Sequence, residues 1–216
     1  MKRIVLLAVM LVSLMPAMAQ TYKVGDFYPD PSVSLEDQAA VAKIEGVVFS
    51  VSEDGKHGSI FSLKEGKGLK WSVLGGPDYT EDKENGQANF EAIKALEPDF
   101  YGYPAFVWCA SLGEGWYIPA INELMIMRNA WGMTQAQRRA LNKKIEQAGG
   151  DPLRQSVYVE SRGQNMSVVY YSSTELAEKQ NKIYSLSFNS NSGPADGLKK
   201  LSDSAENLLY RAVKRF

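Results

Sequence analysis

The sequence predicts an α+β domain with a mostly antiparallel sheet, central helices and a long irregular loop region. Three observations predict it. Helical periodicity is confined to the middle of the chain, residues 89–148, and strand-like runs of β-branched and aromatic residues lie before and after it. Strands and helices do not alternate one by one, as a parallel βαβ sheet would require. The 216 residues, 44% hydrophobic and 23% charged, suffice for one domain with a sizeable core and exclude a disordered chain.

In chain order, residues 1–19 have the three parts of a secretory signal: Lys2 and Arg3, an apolar run over 4–14, and the small-residue pattern Ala17-Met18-Ala19, after which cleavage is expected. The run is short of the roughly 20 apolar residues that span a bilayer, so no stable membrane insertion is expected after cleavage. Gln20 follows the cleavage point where a lipoprotein would carry Cys. Residues 20–42, broken by Gly25, Pro29 and Pro31, read as an extended lead-in, and residues 43–216 as a single domain. Two β-rich runs, 46–52 and 59–63, flank an Asp54-Gly55 turn and predict a hairpin. Residues 70–73 read as a short strand.

The polar stretch 75–87 carries Asp78, Glu81, Asp82 and Glu84, but Lys83 stands where a calcium loop needs a ligand, so it reads as a solvated loop. Helices are predicted over 89–96, ended by Pro98, over 104–112, with Ala105, Trp108, Cys109 and Leu112 on one face, and over 119–129, opened by Pro119, with Ile121, Leu124, Met125 and Arg128 on one face. The fourth is the clearest. Thr134 and Gln137 form a capping box, Ala136, Ala140, Leu141, Ile145 and Ala148 an apolar stripe, and Gly149-Gly150 the stop. Strands follow at 157–160, 168–171, 183–188 and 210–214, with a loop rich in Asn, Ser, Gly and Lys over 189–207.

Composition closes several routes to chemistry. One cysteine forbids an intrachain disulfide, and Cys109 with His57 falls short of the about four ligands of a structural zinc site. His57 follows Asp-Gly in a turn and Cys109 lies on an apolar helical face, so Cys109 reads as a buried core thiol. The sequence contains neither a Gly-x-Ser-x-Gly elbow nor a phosphate-binding glycine loop. Without Lys2 and Arg3, the 24 basic residues fall to 22 against 25 acidic ones, a net charge of −3 that gives no reason to expect nucleic acid as partner. The aromatics Phe100, Tyr101, Tyr103, Phe106, Trp108, Trp116 and Tyr117 crowd one region; core packing is the favoured reading and a sugar-stacking platform the other.

Four segments carry a family resemblance: Ala105-Phe106-Val107-Trp108-Cys109, then Gly115-Trp116-Tyr117-Ile118-Pro119-Ala120-Ile121-Asn122-Glu123-Leu124, Tyr171-Ser172-Ser173-Thr174-Glu175, and Tyr210-Arg211-Ala212-Val213-Lys214-Arg215-Phe216. Over residues 71–216 the chain resembles the family named after the C-terminal domain of the Legionella collagen-like adhesin, which is similar to C-type-lectin-like domains. In the residues themselves, Glu123 falls in the first turn of a helix, where a carboxylate meets the positive end of the dipole. The resemblance implies a C-type-lectin-like fold with a binding loop over 187–197, in which Asn189, Asn191 and Asp196 would hydrogen-bond a ligand's hydroxyl groups. The lectin-type calcium motifs Glu-Pro-Asn, Gln-Pro-Asp and Trp-Asn-Asp do not occur, nor does the cysteine pair of formylglycine-generating enzymes, so neither metal nor cofactor is expected.

The resulting expectation is an exported, non-enzymatic recognition domain, periplasmic or at the cell surface, binding a glycan or a cell-surface protein. The alternatives are a polysaccharide hydrolase using two carboxylates beside the aromatic cluster, or a structural subunit of a cell-surface assembly.

Overall fold

The computed structural model describes residues 20–75, 78–132, 134–189, 193–200 and 207–216, with the side chains of 180 and 196–199 outside the description; the expected signal 1–19 and Asn191 lie outside it too. The strands are β1 (Phe27–Tyr28), β2 (Gly46–Val51), β3 (Gly58–Ser62), β4 (Gly66–Lys67), β5 (Ser156–Val159), β6 (Gln164–Ser167), β7 (Val169–Leu176), β8 (Lys179–Ser187), β9 (Ala195–Lys199), β10 (Leu208–Tyr210) and β11 (Val213–Arg215). The helices are α1 (Gln38–Val41), α2 (Gly86–Leu96), α3 (Pro104–Ser111), α4 (Ile121–Trp131) and α5 (Gln135–Gln147). This is the α+β arrangement expected. One sheet runs β1-β2-β3-β11, a second β4-β10-β7-β8-β9, and β5-β6 forms a separate hairpin. Every pairing is antiparallel except β10 with β7.

The β2-β3 hairpin places Val47 opposite Phe61 and turns where Asp54 Oδ1 accepts from the Lys56 amide at 3.0 Å. Gly55 there has φ 71°, a backbone angle side chains disfavour. The lead-in over 20–42 joins the domain: β1 pairs with β2, and Phe27 is buried. Residues 70–73 are not a strand; Trp71 is buried but Val73 is exposed, and the nearby strand is the two-residue β4. The final strand splits in two. At Arg211-Ala212 the chain leaves the second sheet and enters the first, so β10 pairs with β4 and β7 while β11 pairs with β3. The loop expected over 189–207 contains β9, which pairs with β8 and places Asp196 opposite Tyr184. As an edge strand it lacks the alternating pattern that marks half-buried strands.

Local chemistry sets the helix starts. Asn85 Oδ1 accepts from the Ala88 amide at 3.3 Å, so α2 starts three residues before the expected 89. Pro104 occupies the first turn of α3, and Thr134 with Gln137 makes the capping box of α5. Helix α4 packs against β2 of one sheet and against β7 and β8 of the other. Its buried apolar residues are accordingly Ile121, Leu124, Met127 and Trp131, with Met125 and Arg128 only half-buried, so the inward face is rotated from the one the spacing implied. Helix α5 contributes Ile145 from the stripe, while Ala136 and Ala140 stay exposed; it docks at its C-terminal end.

Of the crowded aromatics, Phe100, Tyr103, Phe106, Trp116 and Tyr117 are buried in the core and Trp108 is half-buried; Tyr101 is exposed. Cys109 is buried among them, and burial pushes its thiol well above the ordinary range. Native protein is therefore expected to react with a bulky maleimide only after denaturant is added; prompt labelling in buffer would contradict a buried Cys109.

Candidate functional site

The residues expected to bind a ligand are only partly brought into view. Asn189 is exposed just past β8, its Nδ2 donating to Ser167 Oγ at 3.0 Å, which ties it to the β5-β6 hairpin. Asn191 and the Asp196 side chain lie outside the described residues, so no joint geometry of the three is defined.

The segments that carry the family resemblance converge instead on the start of α4. Glu123 Oε2 accepts from the amides of Ala120 (2.9 Å) and Gly86 (3.0 Å), and Oε1 from Tyr117 Oη (2.8 Å), so one carboxylate holds the first turns of α2 and α4 together. A Cβ on Gly86 would stand 2.5 Å from the Ala120 nitrogen, so only glycine permits this approach. The Ser-Ser-Thr segment is fully buried in β7. The Ser173 amide donates to Pro119 O (2.8 Å), Thr174 Oγ1 accepts from the Ile121 amide (3.1 Å), and Tyr117 pairs backbone to backbone with Val213. These groups are spent on one another, which makes the junction structural.

Two further charged centres lie inside the protein. In the first, Glu65 accepts from Arg211 Nη2 (2.6 Å), Tyr170 Oη (2.5 Å) and Arg154 Nη2 (2.8 Å). Arg211 is wholly buried and also donates to the carbonyls of Ser62, Leu63 and Asp151. In the second, Lys200 lies between Asp78 and Glu175. Asp78 therefore corrects the solvated reading of residues 75–87: it and Thr80 are buried, while Glu81, Asp82 and Glu84 are exposed. Neither centre was legible beforehand, although a lone Arg in the apolar run Leu208-Leu209-Tyr210-Arg211-Ala212-Val213 was a signal for the first.

Burial raises the phenol pKa of Tyr103, Tyr117, Tyr170 and Tyr210, helped by Asp78 beside the first, Glu123 beside the second, Glu65 beside the third and Tyr171 beside the last. A folded pKa above the unfolded value of about 10 gives stability that is complete below that pH and lost as pH rises toward the folded values. Phenolate absorbance in an alkaline titration is thus expected to show these four of the 11 tyrosines ionising only together with unfolding. Smooth titration of all the tyrosines with native circular dichroism retained would refute it.

Open surface is provided by two grooves, of about 450 and 410 Å³, on either side of the segment from Gly113 to Trp116. The larger lies beside the aromatic cluster, and its carboxylates, Glu91 and Glu114, are exposed. The buried carboxylates Glu65, Asp78, Glu123 and Glu175 each face a basic side chain. Elsewhere, Tyr79 and Tyr101 are 70% and 86% exposed. Tyr79 itself and Phe100, which precedes Tyr101, adopt φ of 58° and 52°, unusual for bulky residues. Their loops are tied together by Tyr103 Oη on Asp78 Oδ1 (2.6 Å) and by the Val73 amide on Gly102 O (2.8 Å). Among the described residues no cluster of three or more His, Cys, Asp or Glu is arranged to hold a metal, and no helix is long and apolar enough to cross a membrane.

No family model matches the chain, and no curated protein matches it. Among solved structures, it is similar to the crystal structure of a fimbrial protein from Bacteroides ovatus, with a TM-score of 0.58 at 15% identity. The match covers 90% of this chain and 48% of that one, so the chain spans about half the length of the protein it matches. At that identity the likeness speaks for the fold alone: an α+β domain of the kind that makes up about half of that fimbrial protein.

Proposed function

We propose that the chain is an exported structural subunit of a cell-surface assembly. The observation that carries this reading is the fold likeness of nearly the whole chain to part of a fimbrial protein. The signal-like residues 1–19 support export. The buried carboxylates support a load-holding role, because each clamps segments distant in sequence. A recognition role, for a glycan or a cell-surface protein without metal, is the second reading. It is favoured by the exposed Tyr79, itself at positive φ, and Tyr101, which follows Phe100 at positive φ, since such rings offer flat apolar faces to sugars. A C-type-lectin-like organisation, and kinship with the Legionella collagen-like adhesin domain, fit this second reading.

The deciding experiment produces the chain with its own leader in a bacterial envelope. The subunit reading expects it in material sheared from the surface, as assemblies visible by immunogold electron microscopy; monomer confined to the periplasm overturns it. The recognition reading expects glycan-array binding that survives EDTA and is lost in the Tyr79→Ala/Tyr101→Ala double variant.

A further inference from the structure

Lys200, Asp78 and Glu175 form a group whose chemistry extends beyond an ion pair. Lys200 is 1% exposed and Glu175 2%, and the Lys200 Nζ lies 4.8 Å from the centre of the Trp71 ring. That Nζ is 2.5 Å from Asp78 Oδ2 and hydrogen-bonds Glu175 Oε1. The other oxygen of Asp78, Oδ1, accepts from Tyr103 Oη at 2.6 Å. The Asp78 amide donates to Glu175 Oε2 at 3.0 Å, which fixes the two carboxylates relative to each other. Two negative charges and one positive charge are thus enclosed away from water, an arrangement that is costly to desolvate.

We propose that this group is an autocatalytic cross-linking site, in which Lys200 Nζ condenses with the Asp78 carboxyl to form an intramolecular isopeptide bond. Moving one proton from the ammonium to Asp78 leaves an uncharged amine facing a carboxylic acid, with Glu175 as the carboxylate. The amine lone pair attacks Asp78 Cγ and forms the Nζ–Cγ bond. The charge that develops on Oδ1 is met by the Tyr103 hydroxyl, already in place as a hydrogen-bond donor. Glu175 accepts a proton from Nζ and delivers one to Oδ2. The Cγ–Oδ2 bond breaks, water leaves, and Glu175 ends as the carboxylate it began as. No oxidant, nucleotide or metal enters the balance. The enclosed contact supplies the high effective concentration that condensation needs, and the lack of nearby water slows the reverse hydrolysis. The bond would join the loop before α2 to the end of β9, 122 residues apart in sequence.

The test is mass spectrometry of the purified, folded chain, with its N-terminus read from its terminal peptides. The expected result is an intact mass lower than that of the sequence by one water, and a digest in which the peptide bearing Asp78 is joined to the one bearing Lys200. Glu175→Gln is expected to restore the full mass with native circular dichroism retained, and Tyr103→Phe to leave a larger fraction of the purified chain at full mass than wild type. A folded wild-type chain of full mass with the two peptides separate overturns the proposal, and so does a Glu175→Gln chain that loses water as fully as wild type. Should Glu175→Gln not fold, the wild-type digest alone decides.

Discussion

Arg211→Met is expected to lower the free energy of unfolding by about 3–5 kcal/mol, because it removes the wholly buried partner of Glu65 and withdraws a charged donor from three carbonyls. Arg211 is wholly enclosed, and its guanidinium reaches Glu65 at 2.6 Å and the carbonyls of Ser62, Leu63 and Asp151 at 2.9–3.0 Å. The variant takes a donor from three carbonyls, of which Leu63 O keeps the Asp151 amide at 2.8 Å, and leaves Glu65 with only Tyr170, Arg154 and the more distant Lys67. For a domain of this size the loss corresponds to a fall in Tm of roughly 6–20 °C. Thermal and urea unfolding of the variant give the measurement. A Glu65→Met/Arg211→Met double variant is expected to be more stable than Arg211→Met alone, since removing both charges leaves no carboxylate to strand. A single variant within about 1 kcal/mol of wild type would mean that Arg211 is solvated in solution.

Trp71→Ala should cost about as much, roughly 3–5 kcal/mol, by a different route. The Trp71 ring is 1% exposed, meets Phe106 edge-on at 5.0 Å and Tyr103 at 5.9 Å, and its Nε1 donates to Ser172 O at 3.0 Å. Most of that loss is the cavity left by the ring. Trp71→Phe keeps much of the volume and strands one buried carbonyl, so it should cost only about 1–3 kcal/mol. Chevron or equilibrium denaturation of the two variants separates the terms. If Phe proves as damaging as Ala, the hydrogen bond to β7 carries the site instead of packing. Trp71→Ala also removes the ring face that the Lys200 ammonium meets at 4.8 Å, a contact that Trp71→Phe largely keeps.

The sequence announced those parts of the fold that repeat a period or carry a cap. The β2-β3 hairpin was visible in two β-rich runs around Asp54-Gly55, and α5 in the Thr134–Gln137 box, because both signals are local. The elements that escaped are α1, β6, β1, β4 and β9; α1 and β6 have four residues each and carry no apolar periodicity. β1 and β4 have two residues each, too few to show alternation, and β9 is an edge that need not show it. The split between β10 and β11 escaped because a run of alternating residues does not reveal that the chain changes sheets within it. The polar interior was harder still. Asp78 sits in a stretch of charge that looks solvated, and only the pairing of β7, β8 and β9 brings Lys200 and Glu175 to it from more than 90 residues away. Of the expected site, Asn189 is where a ligand could reach it, but its amide is already engaged by Ser167.

The passage of the last residues from one sheet to the other also bears on how the molecule is made. β10 supplies the link between β4 and β7, and β11 closes the hairpin sheet at β3, so neither sheet is whole until the final nine residues from Leu208 to Phe216 are in place. Because one short segment serves both sheets, an opening of residues 208–216 would break pairings in both at once, which couples the two sheets into one cooperative unit.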